Sequence, residues 1–186
     1  PSHHIPYLYN YAGAPWKTQE ILQRAMSEFY TTAPDGLCGN DDCGQLSAWY
    51  VFSSMGFYPV CPGSGQYAIG IPVFENITIN LPENKELVIK ASGAGLKTQE
   101  STIKYQYIKS LRFNEQDYPY AYLNHIDLMK GGNLEFVLAS EPSDHWGIES
   151  GFRPFTQPIE PENQLEPLGE GQLFMPYIKH TNVYFR

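Results

Sequence analysis

The hydrophobic pattern of the chain changes from helical to strand-like near residue 58, and this change limits the possible folds more than any other feature. Before it, apolar residues recur at helical spacing in one stripe that consists of Ile21, Leu22, Ala25, Met26 and Phe29. After it, apolar and polar residues alternate over Phe74–Leu81, as they do in a half-buried strand. The sequence therefore predicts an α+β fold that is mostly helical over residues 1–57 and mostly strand over residues 66–138.

Three helices are predicted before residue 58. Ser2 is expected to cap the first helix, whose buried face is expected to consist of Ile5, Leu8 and Tyr9. Pro15 suits the first position of the second helix, where its missing N–H costs nothing. The third helix is expected to begin near Gln45 and to end near Gly56. Its predicted buried side consists of Leu46, Trp49, Tyr50 and Phe57.

Short strands at regular spacing follow, and they predict a β-sandwich-like antiparallel layer over residues 58–140. The expected elements are a hairpin of Phe74–Leu81 with Glu86–Ala91, a hairpin of Tyr105–Phe113 with Tyr118–Leu123, a helical turn at His125–Met129 and a strand at Asn133–Leu138. Residues 141–186 form a third part. Its beginning, Glu141–Gly171, is rich in Pro, Glu and Gly and predicts a linker or a surface strap, whereas Phe174–Arg186 regains the character of a strand.

The composition of the chain argues against two classes of function. Twenty acidic and twelve basic residues give a formal charge of −8, and without a basic stripe such a chain is a poor partner for nucleic acid. No run of about 18 apolar residues is present, so no membrane span is predicted. Fourteen Tyr, ten Phe and three Trp residues suit a protein that handles carbohydrate, because flat rings stack on sugar faces, but aromatic residues also fill cores.

The first residue and the cysteines add two expectations. The chain starts with Pro1 rather than Met and has no signal peptide, so we expect a longer protein whose export signal lies upstream. Cys38 and Cys43 are close enough in sequence to bridge across a loop, whereas free buried thiols are the simpler interpretation for them and for Cys61. No His residue lies at zinc-finger spacing from these cysteines, which argues against a zinc site.

The densest polar cluster in the sequence is the loop before the third predicted helix, which contains Asn40, Asp41 and Asp42. A helix N-terminus favours negative charge, and an ionised Asp can act as a general base on water. Oxygen atoms of Asn40 and Asp41 would also suit a hard cation such as calcium. Asn, Asp and Gly are equally ordinary turn residues, so a plain capping loop is the alternative.

Two further clusters lie in the helical part. Ser2-His3-His4 begins the first helix, and one of the two imidazoles could bond to sugar hydroxyls while the other packs. Adjacent His residues do not share one helix face, so a two-His metal site is not predicted. Trp16 offers a stacking face and Lys17 a contact to a hydroxyl, unless Trp16 is simply a core anchor.

Three stretches of the sequence resemble glycoside hydrolase family 92, which acts on α-linked mannose. They are PSHHIPYLYNYAGAPWKTQ at residues 1–19, PDGLCGNDDCGQLSAWYVFSSMGFYPVCPGSGQYAIGIPVFE at residues 34–75 and DLMKGGNLEFVL at residues 127–138. The resemblance implies that residues 1–57 are the last helices and active-site loops of an (α/α)-barrel catalytic domain. Residues 58–140 would then be the β-layer that closes the domain, and residues 141–186 a linker with the start of an appended β-domain.

The resemblance also implies a calcium-dependent inverting exo-α-mannosidase, with α-1,2-linked mannosides of glycans as expected substrates. Inversion requires an acid and a base about 6.5–9.5 Å apart. The base motif of the family matches Asn40-Asp41-Asp42, where Asp42 is the expected base and Asp41 its support, because relatives more often carry Glu at the position of Asp41. His3 and His4 match a motif that lines the sugar subsite, and calcium is expected to bind vicinal hydroxyls of the sugar.

The general acid of the family has no match in this chain and is expected upstream of Pro1. We therefore expect the upstream part of the same polypeptide to complete the active site, and the chain alone to be inactive. The resemblance implies a secreted or periplasmic protein whose partners are mannose-containing glycans. The alternative is a non-catalytic carbohydrate-binding or structural β-sandwich module, which would not need a pair of carboxylates beside the Ser-His-His and Pro-Trp-Lys-Thr-Gln motifs.

Overall fold

Among the described residues, helices predominate before residue 57 and strands after it, as the change in hydrophobic period predicts. The computed structural model describes residues 2–96 and 106–155. A 3-10 turn at Ile5–Tyr7 leads into the helices α1 (Leu8–Tyr11), α2 (Pro15–Glu28) and α3 (Gln45–Met55). The strands of the described residues are β1 (Phe57–Tyr58), β2 (Gln66–Ile69), β3 (Asn76–Leu81), β4 (Lys85–Lys90), β5 (Tyr107–Phe113), β6 (Gln116–Asp117), β7 (Tyr122–Asn124) and β8 (Gly132–Ala139). The short helix α4 (His125–Leu128) connects β7 to β8.

The residues that begin α2 and end α3 behave as the sequence predicts. Pro15 occupies the first turn of α2, where its missing N–H is not needed. Gly56 ends α3 with a left-handed φ of 97°, and its N–H bonds back to carbonyls of the last turn. The apolar stripe of α2 is only partly buried: Leu22 and Met26 lie in the core, but Phe29 is 52% exposed.

The first helical segment buries a different face from the predicted one, which consisted of Ile5, Leu8 and Tyr9. Tyr7 and Asn10 are buried, whereas Ile5 and Leu8 are 49% and 46% exposed. The chain runs as a 3-10 turn before it becomes α-helical, and the tighter turn rotates its side chains relative to those of an unbroken α-helix. The predicted cap is also wrong. The carbonyl of Ser2, not its hydroxyl, accepts the N–H of Ile5 at 3.0 Å.

The strands form two sheets. In the first, β2 lies between β1 and β7, and all neighbours are antiparallel. The second has the order β3-β4-β8-β5-β6. The predicted hairpin of β3 and β4 is confirmed, with Ile77 opposite Ile89. The α+β prediction is confirmed as well, and the parallel pairing of β4 with β8 makes the second sheet a mixed one.

The second predicted hairpin forms differently. On its outer side, the strand that pairs with β5 among the described residues is the two-residue strand β6. Pro119 lacks the N–H that a longer ladder would need, so the chain leaves this sheet, and Tyr122 pairs with Ala68 of β2. The predicted partner strand Tyr118–Leu123 therefore contributes to the other sheet. Tyr105, the predicted first residue of the hairpin, lies outside the described residues.

Buried amide side chains attach α2 to the second sheet. Gln23 accepts the N–H of Gln106 at 2.9 Å and donates to its carbonyl at 2.8 Å. Gln19, one turn earlier, accepts the N–H of Ile108 at 3.0 Å. Both glutamines are 1% exposed. The helix therefore bonds to the beginning of β5 much as a neighbouring strand would.

Asn10 attaches α1 to the first sheet. It is fully buried, and its amide N–H groups donate to the carbonyls of Ile69 and Ala121 at 2.7 and 3.0 Å. The N–H of Ile69 also bonds to the carbonyl of Ala121, so the three residues form one network. Buried polar groups cost free energy unless they are hydrogen-bonded, so this network fixes how α1 lies on the sheet.

Two clusters of apolar residues fill the interior. The cluster between the sheets has a centre that is at most 1% exposed and includes Leu87, Ile89, Ile108, Leu111 and Leu134. The helix cluster includes Tyr7, Leu22, Met26 and Trp49. Burial raises the pKa of the Tyr7 phenol far above its ordinary value, so Tyr7 stays neutral while it bonds to the hydroxyl of Ser53.

The chain up to Pro154 belongs to one compact unit, and residues 155–186 are assigned to a second. The predicted linker Glu141–Gly171 is described as far as Phe155 and contains a 3-10 turn at Ser150–Phe152. The predicted strand Phe174–Arg186 lies outside the described residues. Within the part of the chain that the structure describes, no helix has the length and hydropathy needed to cross a bilayer.

Replacing Gln23 by Met should destabilise the chain, because it leaves the N–H and the carbonyl of Gln106 without partners. Urea unfolding should show a loss of about 1–3 kcal/mol. Arg24→Ala, in the same helix, is the control. Its ion pair with Glu28 is exposed, so its loss should cost at most about 0.5 kcal/mol. Equal effects of the two substitutions would contradict the amide attachment.

Candidate active site

The polar loop that contains Asn40, Asp41 and Asp42 ends at the N-terminus of α3, which it caps. The carboxylate of Asp41 accepts hydrogen bonds from the backbone N–H and the hydroxyl of Ser47, at 2.9 and 3.1 Å. The carbonyl of Asp41 accepts the N–H groups of Gln45 and Leu46 at 2.7 and 3.2 Å. These bonds satisfy donors that the first turn of α3 would otherwise leave free. Asp41 is thus the residue that fixes the loop to α3.

Asp42 lies in a tight left-handed turn. Asp42, Cys43 and Gly44 have successive φ angles of 49°, 60° and 89°. This region is unfavourable for most residues with a side chain, although Asp tolerates it better than most. The Asp42 side chain is exposed. The turn therefore leaves the Asp42 carboxylate open to solvent, while the neighbouring Asp41 carboxylate holds the helix.

Trp49 of α3 joins His3 to this helix. Its indole N–H donates to the carbonyl of His3 at 3.0 Å, and the centres of the two rings lie 5.9 Å apart. Tyr30 stacks on Trp49 with ring centres 5.6 Å apart. Trp49 is 3% exposed, which confirms its predicted burial. Tyr50, predicted to be buried as well, is only half-buried and packs against Tyr30.

His3 lies within electrostatic range of Asp42. Burial lowers the pKa of the His3 imidazole below its ordinary value of 6.5, and the negative charge of Asp42 opposes this shift. The neighbouring His4, which is exposed, acts in the same direction as burial. The His3 imidazole is therefore neutral at neutral pH, with one nitrogen as donor and the other as acceptor for a polar ligand.

Tyr30 places a neutral phenol beside the loop. Burial raises its pKa to about 12, and the nearby Cys38, Asp41 and Tyr50 act in the same direction. The backbone of Tyr30 also forms a bridge to Leu37, near the other end of the loop. Tyr30 therefore closes the loop that Asp41 fixes to α3.

The Trp16-Lys17 segment forms a separate cluster. The Lys17 ammonium lies 5.2 Å from the centre of the Trp16 ring and 5.5 Å from that of Tyr9, which are distances of a cation–π contact. Trp16 is half-buried, so part of its surface remains open to a ligand. Among the described residues, no hydrogen bond, ion pair or ring contact joins this cluster to His3 or Asp42.

The described residues do not by themselves form a metal site. Within residues 2–96 and 106–155, no three His, Cys, Asp or Glu side chains are close enough to hold a metal ion. Asn40 is exposed, and one carboxylate oxygen of Asp41 is already bonded to Ser47. Because calcium takes about six to eight oxygen ligands, this loop would supply only part of a calcium site.

The three cysteines are free thiols, as the simpler interpretation predicts, but they are exposed rather than buried. Cys38 and Cys43 flank the Asn40-Asp41-Asp42 motif without a disulfide between them. The loop is therefore held by the Tyr30 bridge and the Asp41 cap rather than by a covalent bond.

The sequence does not predict that three aromatic residues belong to the site. Trp49 is predicted as a core residue, but its bond to His3 joins residues that are 46 positions apart, which no local pattern reports. Tyr9 is predicted on a buried face, but it is only half-buried and lies under the Lys17 ammonium. Tyr30 belongs to no motif, and the only available signal is its position just before the polar loop.

Comparison with known proteins places the chain in a family. Residues 1–140 match the glycosyl hydrolase family 92 catalytic domain. An uncharacterized secreted glycosidase of Arthroderma benhamiae is 30% identical over 149 residues, which are 79% of this chain and 18% of that protein. A family GH92 α-mannosidase of Bacteroides thetaiotaomicron, solved with mannoimidazole, is 38% identical, with a TM-score of 0.74 over 83% of this chain and 19% of its own. An inverting mannosidase of the same family and organism is 42% identical, with a TM-score of 0.73 over 82% of this chain and 20% of its own.

These matches define the class of the sequence as a glycoside hydrolase. Within that class the chain belongs to family 92, whose model covers residues 1–140. The chain spans between 18% and 20% of the length of these relatives. The predicted family and fold class are confirmed, whereas the roles of the individual site residues stay predictions.

Truncation of Trp49 to Ala should destabilise the chain by about 3–5 kcal/mol, as truncation of other buried aromatic residues does. Trp49→Phe keeps a ring in the core but removes the donor to His3, and loss of that bond alone should cost about 0.5–1.5 kcal/mol. Urea unfolding measures both effects. Phe29→Ala is the control, because Phe29 is 52% exposed. A Trp49→Ala variant no less stable than this control would show that the indole is not a structural anchor.

Proposed function

We propose that the complete polypeptide is an inverting exo-α-mannosidase and that this chain supplies its general base. The observation that carries the proposal is that His3 bonds to the buried Trp49 of α3, the helix that follows the loop of Asp41 and Asp42, and that His3 lies within electrostatic range of Asp42. The neutral imidazole of His3 and the solvent-exposed carboxylate of Asp42 are therefore close enough to interact electrostatically. Family membership supports the reaction class, and the two relatives from Bacteroides thetaiotaomicron are an α-mannosidase and an inverting mannosidase.

Asp42 is the better candidate for the base. In an inverting glycosidase the base removes a proton from the water that attacks the anomeric carbon, so it needs an ionised oxygen that is free to bond to water. One oxygen of Asp41 already accepts two hydrogen bonds from Ser47. Asp42 is exposed and its carboxylate has no such donors among the described contacts. Asp41 then acts as its support, because it fixes the turn from which Asp42 extends.

His3, His4, Trp16 and Lys17 are the proposed substrate-binding residues. A neutral His3 can both donate to and accept from sugar hydroxyls, and the exposed His4 adjoins it. The half-buried Trp16 offers a face for stacking on a sugar ring, and Lys17 offers N–H donors. We take α-1,2-linked mannosides of glycans as the substrates, in keeping with the mannosidases among the relatives.

The remaining parts of the active site lie elsewhere in the proposed enzyme. The acid that protonates the leaving oxygen would come from the upstream part of the polypeptide, about 6.5–9.5 Å from the base. Calcium, if bound, would take ligands from Asn40 and the free oxygen of Asp41, from that upstream part and from sugar hydroxyls, and it would help to hold the sugar in place. Secretion or export to the periplasm is proposed because the Arthroderma relative is a secreted glycosidase.

Asp42→Asn in the complete enzyme should lower kcat by about 10²–10⁴ with a much smaller change in KM, because the amide keeps the shape but cannot accept the proton. The rate of mannose release from an α-mannoside measures this effect. Asp35→Asn is the matched control, since Asp35 is an exposed carboxylate of the same connecting segment. It should leave kcat unchanged.

The calcium dependence of the Asp42→Asn enzyme separates the possible roles of this residue. A base variant stays slow at every calcium concentration. Recovery of activity at high calcium would identify Asp42 as a calcium ligand instead. A normal kcat at ordinary calcium would mean that Asp42 belongs only to the turn, and the base assignment would fail.

The purified chain of residues 1–186 should release no mannose at rates near those of a complete enzyme. A base without its acid loses the contribution of positioned proton transfer, which is about 10²–10⁴-fold, and it also lacks the remaining walls of the sugar site. A chromogenic α-mannoside provides the assay. Turnover by the purified chain at the rate of the complete enzyme would show that both catalytic groups lie within it.

A further inference from the structure

The segment after β8 packs against the turn between α1 and α2. We call residues 146–153 the strap. Trp146 is buried, and its indole N–H donates to the carbonyl of Tyr118 at 3.0 Å. Near the other end, the carbonyl of Phe152 accepts the N–H of Ala121 at 2.7 Å. The strap is therefore fixed to the chain segment that enters β7.

Arg153 connects the strap to the turn. Its Nε donates to the carbonyl of Ile148 at 2.7 Å, which closes the strap on itself. Its guanidinium lies against Gly13, where a β-carbon would overlap it. Gly13 also has a φ of 75°, so both the backbone conformation and the contact favour glycine. Gly147 of the strap lies against Pro15, the first residue of α2.

The same turn determines where the Lys17 ammonium lies. The ammonium is held between two rings, Tyr9 before the turn and Trp16 after it. The N–H of Ala14 bonds to the carbonyl of Tyr9 at 2.8 Å, and the N–H of Lys17 bonds to the carbonyl of Ala14 at 3.0 Å. A shift of the turn would therefore change the distance between the two rings and displace the ammonium.

We propose that Arg153 is a positioning residue for substrate binding, which acts through Gly13 on the cluster of Tyr9, Trp16 and Lys17. The proposal rests on the proposed function, in which Lys17 contacts the sugar. The guanidinium lies against Gly13 of the turn while its Nε bonds to the carbonyl of Ile148, and a Lys ammonium cannot do both. Arg153 lies outside residues 1–140, which the family model matches.

The test compares KM and kcat for an α-mannoside in the complete enzyme. Lys17→Ala and Arg153→Ala should each raise KM about tenfold or more, because one removes and the other displaces a proposed contact to the substrate. In both variants kcat should stay within about threefold of the unmodified enzyme. Arg153→Lys should not restore KM, and it carries the test if Arg153→Ala does not fold. Arg112→Ala is the control, since Arg112 is an exposed Arg whose ion pair with Asp117 lies in the second sheet. It should leave both constants unchanged.

The double variant distinguishes positioning from a general loss of stability. If Arg153 acts through Lys17, adding Arg153→Ala to Lys17→Ala should raise KM no further. Additive effects, or a fall in kcat and thermal stability without a change in KM, would overturn the inference. An unchanged KM in Lys17→Ala, together with an inactive Asp42→Asn enzyme, would overturn this inference while the proposed function stands. A normal Asp42→Asn enzyme would instead remove the proposed function.

Discussion

Hydrogen bonds between buried side-chain amides and strand backbones determine how the helices lie on the sheets. An amide side chain carries a donor and an acceptor, as a peptide group does, so Gln19 and Gln23 can take the place of a neighbouring strand beside β5. Asn10 uses only its donor in this way: its amide N–H groups bond to two carbonyls at the first sheet, whereas its buried Oδ1 has no partner among the described residues. Each buried group left without a partner would cost about 1–3 kcal/mol. A helix shifted by one residue is therefore strongly disfavoured, whereas apolar contacts alone would tolerate small shifts.

The geometry of the candidate site depends on this attachment of the helices to the sheets. Once α2 is fixed, Leu22 and Met26 pack in the same apolar cluster as Trp49 of α3. Trp49 then joins two segments that are far apart in sequence, because its N–H bonds to His3 while its helix begins at the loop that Asp41 caps. Trp49 thus positions the proposed sugar contact His3, and Asp41 fixes the loop of the proposed base to the same helix.

Local sequence patterns predict the features that depend on local chemistry. The change of period near residue 58, Pro15 at the start of α2 and Gly56 at the end of α3 are all confirmed. The face of the first helix could not be predicted, since a periodic pattern does not reveal a 3-10 turn. The partner of Tyr118–Leu123 could not be predicted either, because strand pairing is a long-range choice. In the site, the motif predicts roles for Asp41 and Asp42 that stay predictions, whereas the contact of His3 with Trp49 appears only in the folded chain.

In the proposed enzyme, the loop of Asp41 and Asp42 presents Asp42 as the base near His3. The decisive measurement is a crystal structure of the complete enzyme with mannoimidazole bound. We expect a water within about 2.6–3.2 Å of the Asp42 carboxylate, on the face of the sugar opposite the leaving group. His3 should contact the same sugar, with Asp41 still bonded to Ser47. A structure in which Asp41 releases Ser47 and binds that water, or in which Asp42 turns away from the sugar, would rule out Asp42 as the base.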